Sequence, residues 1–178
     1  MAGAAGLLDE AGRVVQGLAG VGVQPILVGG MALVILGSRR VTRDFDFVIP
    51  HPGDQLETIV DAIYDTGLEL AARVNADGEI TATIGNRRVA AARLRLDAPA
   101  AAYFCNPTSG LRIDLLFDFP VPAATLAEHA TRLTIRSVAF HVASEADLLR
   151  LKKAALARRS APGDAEDVAF LEARRSRR

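Results

Sequence analysis

The sequence has few of the features that mark secreted, zinc-binding or membrane proteins. Its single cysteine, Cys105, excludes an internal disulfide and suits a reducing compartment. No Cys and His residues have the spacing of a structural zinc site. Apolar runs such as residues 33–36 are far too short to span a bilayer, and the N-terminus lacks the pattern of a signal peptide. We therefore expect a cytoplasmic protein without a membrane partner.

An excess of charge of either sign is also missing. The 178 residues carry 21 basic and 21 acidic side chains, so no overall charge attracts nucleic acids or membranes. Lysine is rare, since 19 of the basic residues are arginine and the two lysines are Lys152 and Lys153. A lysine kept in such a chain is a weak hint of a site that needs a compact ammonium group. Residues 174–178 include four arginines, which mildly favours RNA as a partner, although short basic tails often serve only solubility.

The hydrophobic pattern predicts a mixed α/β (α+β) domain. Half of the residues are hydrophobic, which is enough for a folded core. Helical spacing predicts helices at about residues 7–18, 31–36, 54–65, 145–159 and 164–172. Strand patterns occur at residues 26–28, 45–49, 68–74, 80–84, 89–94, 111–117, 132–135 and 138–142. We expect one compact unit, with a mixed β-sheet flanked by helices in residues 1–143 and a helical pair with an Arg-rich tail in residues 144–178.

The pair Gly29-Gly30 separates the first predicted strand from the short helix that follows. Glycines let a phosphate group approach the backbone closely, and free N–H groups at a helix start favour anions. An ordinary strand-to-helix turn has the same pattern, so the pair alone does not define a site. The loop that follows has guanidinium groups suited to phosphate oxygens, at Arg39, Arg40 and Arg43.

Two acids, Asp44 and Asp46, stand at the start of the second predicted strand. The period of two along a strand puts both carboxylates on one face, and it turns Phe45 and Phe47 toward the core. Two neighbouring carboxylates repel each other unless a positive charge lies between them. Mg²⁺ supplies that charge and prefers oxygen ligands. The pattern therefore favours a magnesium site over an ordinary solvated strand face.

A third acid, Asp114, stands among apolar residues on the predicted strand 111–117. If this strand lies beside the strand of Asp44 and Asp46, three carboxylates converge. Such a trio can hold two metal ions, one activating an attacking hydroxyl and the other stabilising a triphosphate and its leaving group. Asp118, close to Pro120, is more typical of a turn.

Together these segments resemble the DNA polymerase β-like nucleotidyltransferase superfamily. Its signature is a Gly-Gly or Gly-Ser pair, then Asp-x-Asp on a strand, then a third Asp on a later strand. Residues 29–32, 37–40 and 42–46 are similar to the minimal bacterial branch of this superfamily. The resemblance implies a nucleotidyltransferase-type sheet in which the three acids are catalytic metal ligands. The nucleotide-binding residues that it implies here are Gly29, Gly30, Arg40 and Thr42.

The C-terminal part resembles the AbiEii-like nucleotidyltransferases of this branch. Residues 147–159 are similar to the lysine helix of that family, and this implies a catalytic role for Lys152, with Lys153 as the alternative. Asp164 and Asp167 are similar to its Asp-x-x-Asp helix, which implies a place near the nucleotide. A snorkelling lysine and a helix cap at Asp164 are the structural alternatives. The family usually has a basic residue where Gly163 stands here.

The resemblance implies an Mg²⁺-dependent enzyme, with two ions, that moves a nucleoside monophosphate from a nucleoside triphosphate such as ATP to an acceptor hydroxyl. A toxin-type enzyme would modify tRNA or a protein and would have a cognate antitoxin. An antibiotic adenylyltransferase would instead modify a small molecule. The alternative from another class is a non-catalytic nucleotide-binding or antitoxin-like partner, in which one of the three acids is expected to be lost.

Overall fold

The computed structural model describes residues 4–158 and 162–177, which form an eight-stranded mixed sheet flanked by helices. The strands are β1 (Ile26–Val28), β2 (Asp44–Ile49), β3 (Glu69–Val74), β4 (Ile80–Ile84), β5 (Ala101–Cys105), β6 (Arg112–Phe117), β7 (Thr131–Ile135) and β8 (Val138–Val142). The helices are α1 (Ala4–Gly20), α2 (Gly29–Ile35), α3 (Leu56–Tyr64), α4 (Arg87–Asp97), α5 (Ala123–Ala127), α6 (Glu145–Arg158) and α7 (Pro162–Arg175), with a 3₁₀ turn at Gly53–Gln55. The strand order is β4-β3-β5-β6-β2-β1-β8-β7. The predicted fold class is confirmed.

The central strands are β6, β2, β1 and β8. Strand β2 pairs parallel with β6 and antiparallel with β1, and β1 pairs parallel with β8. On one face of these strands the rings of Phe45, Phe47 and Phe140 stack, with centroids 6.3 to 6.5 Å apart. The predicted turn of Phe45 and Phe47 into the core is therefore confirmed, and the alternate residues of β2 face the other way.

Helix α1 packs on the face of the sheet that carries these rings. Gly12 of α1 lies so close to β8 that an added Cβ would fall 2.5 Å from a methyl carbon of Val138. Val138 and Phe140 are both buried and stand two residues apart on β8, so they share a face. Helix α1 contacts α3, and α3 contacts α4. The opposite face carries Asp44 and Asp46, and residues of α6 line a cavity there together with Asp46.

The prediction of a strand at residues 89–94 is wrong, because these residues lie in α4. The side chain of Asn86 caps this helix by accepting hydrogen bonds from the backbone N–H groups of Arg88 and Val89 at 3.0 and 3.2 Å. The buried residues Ala90, Ala91 and Leu94 follow helical spacing, whereas Val89 is exposed. Strand β5 and the short helix α5 were not predicted at all.

The two C-terminal helices form the predicted pair and are tied to the core by an arginine. Arg174 of α7 donates from Nε to Glu145 at 2.7 Å and from Nη1 to the carbonyl of Leu36 at 2.8 Å. Part of the basic C-terminus thus serves packing. The predicted end of α6 at Arg159 and the last residue, Arg178, lie outside the described residues. No helix in the described ranges has the length and apolarity needed to cross a bilayer.

Candidate active site

The register of β2 and β6 brings the predicted acids to one place. Asp46 pairs with Asp114 across the two parallel strands, and Asp44 pairs with Arg112. Paired residues on neighbouring strands point to the same face, about 4.8 Å apart. The three acids therefore converge because Asp44 and Asp46 are two residues apart on β2 and because Asp46 lies opposite Asp114 on β6.

Burial and mutual repulsion perturb these carboxyl groups. The pKa of Asp46 rises from 3.8 to about 6, because burial penalises its charge and because Asp114 and Asp44 repel it, while Lys152 and Arg112 partly offset the rise. Burial also raises the pKa of Asp114, against the lowering effect of Arg112. The site thus holds negative charge that the nearby side chains compensate only in part.

Arg112 is the counter-ion of Asp114. Its Nε and Nη2 atoms donate to the two carboxylate oxygens of Asp114 at 2.9 and 3.2 Å. Its Nη1 atom donates to the carbonyl of Gly78 in the β3–β4 turn at 2.8 Å. Arg112 was not predicted as a site residue, although it stands two residues before Asp114 on the same strand and period two places both on one face.

The donor set suits a hard divalent cation, but it is not assembled as a ligand cage. Among residues 4–158 and 162–177, no group of three or more His, Cys, Asp or Glu side chains is arranged to hold a metal ion. The bidentate contact with Arg112 explains this for Asp114, since both of its oxygens are engaged. The oxygen chemistry and the repulsion that raises the pKa of Asp46 still fit Mg²⁺ at Asp44, Asp46 and Asp114, provided that Arg112 turns aside.

The glycine pair is required by side chains that cross it. Gly29 has a φ angle of +67°, and an added Cβ would lie 2.0 Å from Oδ2 of Asp46. An added Cβ at Gly30 would lie 2.9 Å from Cζ of Arg40. The absence of side chains at this turn therefore lets Asp46 and Arg40 lie directly over the backbone where β1 meets α2.

Lys152 and two buried acids form a network beside this turn. The Nζ atom of Lys152 lies 2.7 Å from Asp167 and 3.5 Å from Asp164. Arg40 donates to the same Oδ2 atom of Asp167 that Lys152 contacts. The loop before β2 is thereby linked to α6 and α7. The two acids predicted to lie near the nucleotide thus contact Lys152, the predicted catalytic lysine, and Asp167 also contacts Arg40, a predicted nucleotide-binding residue.

The other residues considered in the sequence analysis are exposed or half-buried. The side chain of Lys153 is 54% exposed and pairs with Glu172 at 2.7 Å, whereas that of Lys152 is 12% exposed. Thr42 is half-buried in the loop before β2, and its side chain has no hydrogen bond to another described residue. Arg39 and Arg43 are exposed in the same loop.

Asp118 has a structural role, as its turn-like sequence context predicts. Its carboxylate oxygens accept backbone hydrogen bonds from His51 and Ala123, both at 2.8 Å. Its φ angle of +50° is typical of a turn residue. These contacts leave it outside the group of Asp44, Asp46 and Asp114.

A cavity of about 400 Å³ opens beside the acids. Its polar wall contains Asp46, Asp114 and Lys152, and the rest is largely apolar. The apolar and aromatic part consists of Val28, Tyr103, Leu116, Phe119, Pro120, Leu148, Leu151, Ala154 and Ala155. A larger cavity of about 650 Å³ lies by β7 and the start of α6, and none of the three acids lines it. The cavity beside the acids is therefore the candidate substrate site.

Comparisons with known proteins agree with this fold. The chain is similar to the solved structure of an antigenic nucleotidyltransferase-like protein from Paracoccidioides brasiliensis, with 18% identity and a TM-score of 0.57 over 92% of this chain and 75% of that one. It is also similar to the lincosamide antibiotic adenylyltransferase LnuA, solved with lincomycin bound, with 12% identity and a TM-score of 0.57 over 92% of this chain and 95% of that one. A comparison with curated proteins gives no match. At these identities the structural likeness establishes the fold alone.

A family model identifies the chain more closely. The model described as nucleotidyl transferase AbiEii toxin, type IV toxin–antitoxin system, matches residues 17–176. This range contains β1 with its glycine turn, all three acids, Lys152 and both C-terminal helices. The chain therefore belongs to the AbiEii family of nucleotidyl transferase toxins of type IV toxin–antitoxin systems, and it is a nucleotidyltransferase.

Proposed function

We propose that this nucleotidyltransferase moves a nucleoside monophosphate from a nucleoside triphosphate to a hydroxyl group of tRNA or a protein, with Mg²⁺ held by Asp44, Asp46 and Asp114. The observation that carries this proposal is the pairing of Asp46 with Asp114 on adjacent parallel strands. Both side chains line one cavity together with Lys152. Carboxylates and an ammonium that line the same cavity suit a metal-bound triphosphate.

Two Mg²⁺ ions at these carboxylates would neutralise the triphosphate and favour ionisation of the acceptor hydroxyl. Asp46 must be deprotonated to act as a ligand, and its pKa of about 6 permits this at neutral pH. Asp114 must exchange its contact with Arg112 for the cation. The released guanidinium would stay close to the developing negative charge, because Arg112 remains anchored to the Gly78 carbonyl.

The transfer itself joins the acceptor oxygen to the α-phosphorus and breaks the bond between that phosphorus and the pyrophosphate leaving group. The hydroxyl proton has to go to a base. Asp114 is suited to accept it on the carboxylate oxygen that would not hold the cation, because burial raises its pKa above the ordinary value. Lys152, which is largely buried beside the acids, would stabilise the charge that accumulates on the departing phosphates.

Arg40, Asp164 and Asp167 would act on the nucleotide together with Lys152. Asp167 lies between the two cations and contacts both. A carboxylate held in this way fixes where the positive charges stand, and they can then meet phosphate oxygens without reorganisation. We propose that the two acids orient Arg40 and Lys152, while Gly29, Gly30 and Thr42 border the triphosphate.

Incubation of the purified protein with each α-labelled nucleoside triphosphate, Mg²⁺ and total cell extract tests this function. Label is expected on RNA or protein with the wild-type chain and with Asp77→Asn, an exposed turn residue. It is expected to disappear with EDTA and with Asp46→Asn. Label on a small molecule would identify an antibiotic-type transferase. Tight nucleotide binding without label on any acceptor would support the non-catalytic partner.

Family membership also supports a cognate antitoxin as a biological partner. Expression of the chain alone is expected to arrest growth, and expression of Asp46→Asn is not. Growth that is equally fast with both chains would oppose a toxin-type role.

A further inference from the structure

The exposed aromatic side chains of this protein are concentrated at one place. The chain has seven Phe, two Tyr and no Trp, and all nine rings lie in the described residues. Tyr103 and Phe119 are the two exposed ones, at 39% and 41%. Both line the cavity beside the acids. Exposed rings that share the candidate substrate site indicate a role in ligand contact.

The position of Tyr103 is set by the sheet. Strand β5 pairs with β6 so that Tyr103 lies opposite Asp114, and β6 pairs with β2 so that Asp114 lies opposite Asp46. The ring is therefore next to the acids and on the same face. Leu116 stands two residues after Asp114 on that face, and it extends the apolar surface toward Phe119.

The Tyr103 ring is also held in place. The guanidinium carbon of Arg112 lies 5.3 Å from the ring centroid, which is a cation–π contact. Arg112 itself is anchored by the hydrogen bond from its Nη1 atom to the carbonyl of Gly78, a contact that does not involve Asp114. A ring supported on one side by a fixed guanidinium loses little conformational freedom when a ligand covers another part of its surface.

We propose that this cavity holds an unpaired nucleobase, which stacks against the aromatic wall formed by Tyr103 and Phe119. Planar bases gain stacking energy on aromatic side chains with little regard to sequence. Lys152 and Arg158 also line the cavity, and they match the phosphates attached to such a base. The inference rests on the proposed function, and it names a chemical group of the substrate. The base belongs either to the nucleoside triphosphate or to the end of an RNA acceptor.

Binding measurements without turnover test this wall and distinguish the two sources. The ligands are a non-hydrolysable nucleoside triphosphate, inorganic tripolyphosphate and a short single-stranded oligoribonucleotide, each measured by calorimetry or fluorescence anisotropy in the presence of Mg²⁺. The variants are Tyr103→Leu and Phe119→Leu. Tyr103→Phe, which keeps the ring, and Leu96→Ala, which alters an exposed residue of α4, are the controls.

The two leucine variants are expected to bind one base-bearing ligand about 5- to 150-fold more weakly, which corresponds to about 1–3 kcal/mol per stacked base. Their affinity for tripolyphosphate should not change, and both controls should bind as the wild type does. A loss confined to the triphosphate identifies its base as the occupant, and a loss confined to the oligoribonucleotide identifies the acceptor.

Equal weakening of tripolyphosphate, unchanged binding of both base-bearing ligands, or no binding of either by the wild type would overturn the proposal. Because these measurements need no transfer, they separate the two proposals. A wild-type chain that transfers nucleotides while the leucine variants bind normally would leave the proposed function intact and remove the aromatic wall. If the wild-type chain transfers no nucleotide but the leucine variants lose affinity only for a base-bearing ligand, the aromatic wall is supported and the proposed function is removed.

Discussion

Replacing Asp46 by asparagine is expected to stabilise the metal-free protein while it abolishes transfer. Asp46 has a pKa of about 6 in the folded chain and an ordinary value of 3.8. This difference corresponds to about 3 kcal/mol at about 1.4 kcal/mol per pH unit. The folded state therefore carries an unfavourable buried charge at neutral pH, and an asparagine of nearly the same shape does not carry it.

The sign of the pH dependence follows from the direction of this pKa shift. Between about pH 4 and pH 6 the folded chain keeps a proton on Asp46 that the unfolded chain has already lost. The free energy of unfolding of the wild type therefore falls, relative to the variant, as the pH rises through this window. The advantage of Asp46→Asn should be small near pH 4 and should reach up to about 3 kcal/mol above pH 7.

Thermal and urea unfolding in EDTA, at several values between pH 4 and pH 8, measure this difference. At neutral pH the variant should melt about 6–12 °C above the wild type, as expected for a chain of this length. Asp77→Asn, at an exposed turn, should follow the wild type. Added Mg²⁺ should stabilise the wild type more than Asp46→Asn. A variant that is less stable than the wild type at pH 7, or a difference that does not depend on pH, would refute the electrostatic reasoning.

Three further substitutions test the other parts of the site. Lys152→Met should lower the melting temperature, because breaking a buried ion pair by removing one partner costs about 3 kcal/mol or more. It should also remove transfer, because the ammonium beside the departing phosphates is lost. Lys153→Met at an exposed pair should change the rate less than about twofold, and similar rates for the two variants would contradict the assignment. Gly29→Ala should cost about 1–3 kcal/mol of stability, because the φ angle is +67° and the new Cβ would lie 2.0 Å from Oδ2 of Asp46. Gly20→Ala, whose Cβ would meet open space, should leave stability unchanged. Equal melting temperatures for the two variants would remove the argument for the glycine turn. Arg112→Gln should bind Mn²⁺ more tightly than the wild type in calorimetry without nucleotide, because its positive charge no longer competes for the third acid; weaker binding would show that the guanidinium supports the site.

The placement of the three acids at one site was predictable in part from the sequence, because strand geometry has a fixed period. Asp44 and Asp46 had to share a face once β2 was recognised, and Asp114 stood out as an acid among apolar residues. The pairing of β2 with β6 does not follow from spacing, because it depends on which strands meet across the sheet. The resemblance to a known superfamily supplied that step, and the register then confirmed that Asp46 lies opposite Asp114.

The parts that were missed have physical reasons. Residues 89–94 begin with Val and end with Leu, but the alanines and the arginine between them favour a helix, and the cap at Asn86 starts it. Because strand β5 was not predicted, the position of Tyr103 opposite Asp114 could not be predicted either. Arg112 stands two residues before Asp114 on β6, so its place beside the acids could have been predicted from the period of two along a strand.

The most direct test of the proposed metal site is anomalous X-ray scattering from Mn²⁺ in crystals grown with a non-hydrolysable nucleoside triphosphate. A peak within coordination distance of both Asp46 and Asp114, with Arg112 turned away from Asp114, is the expected result. A peak elsewhere, or bound nucleotide with the contact between Arg112 and Asp114 intact, would contradict it.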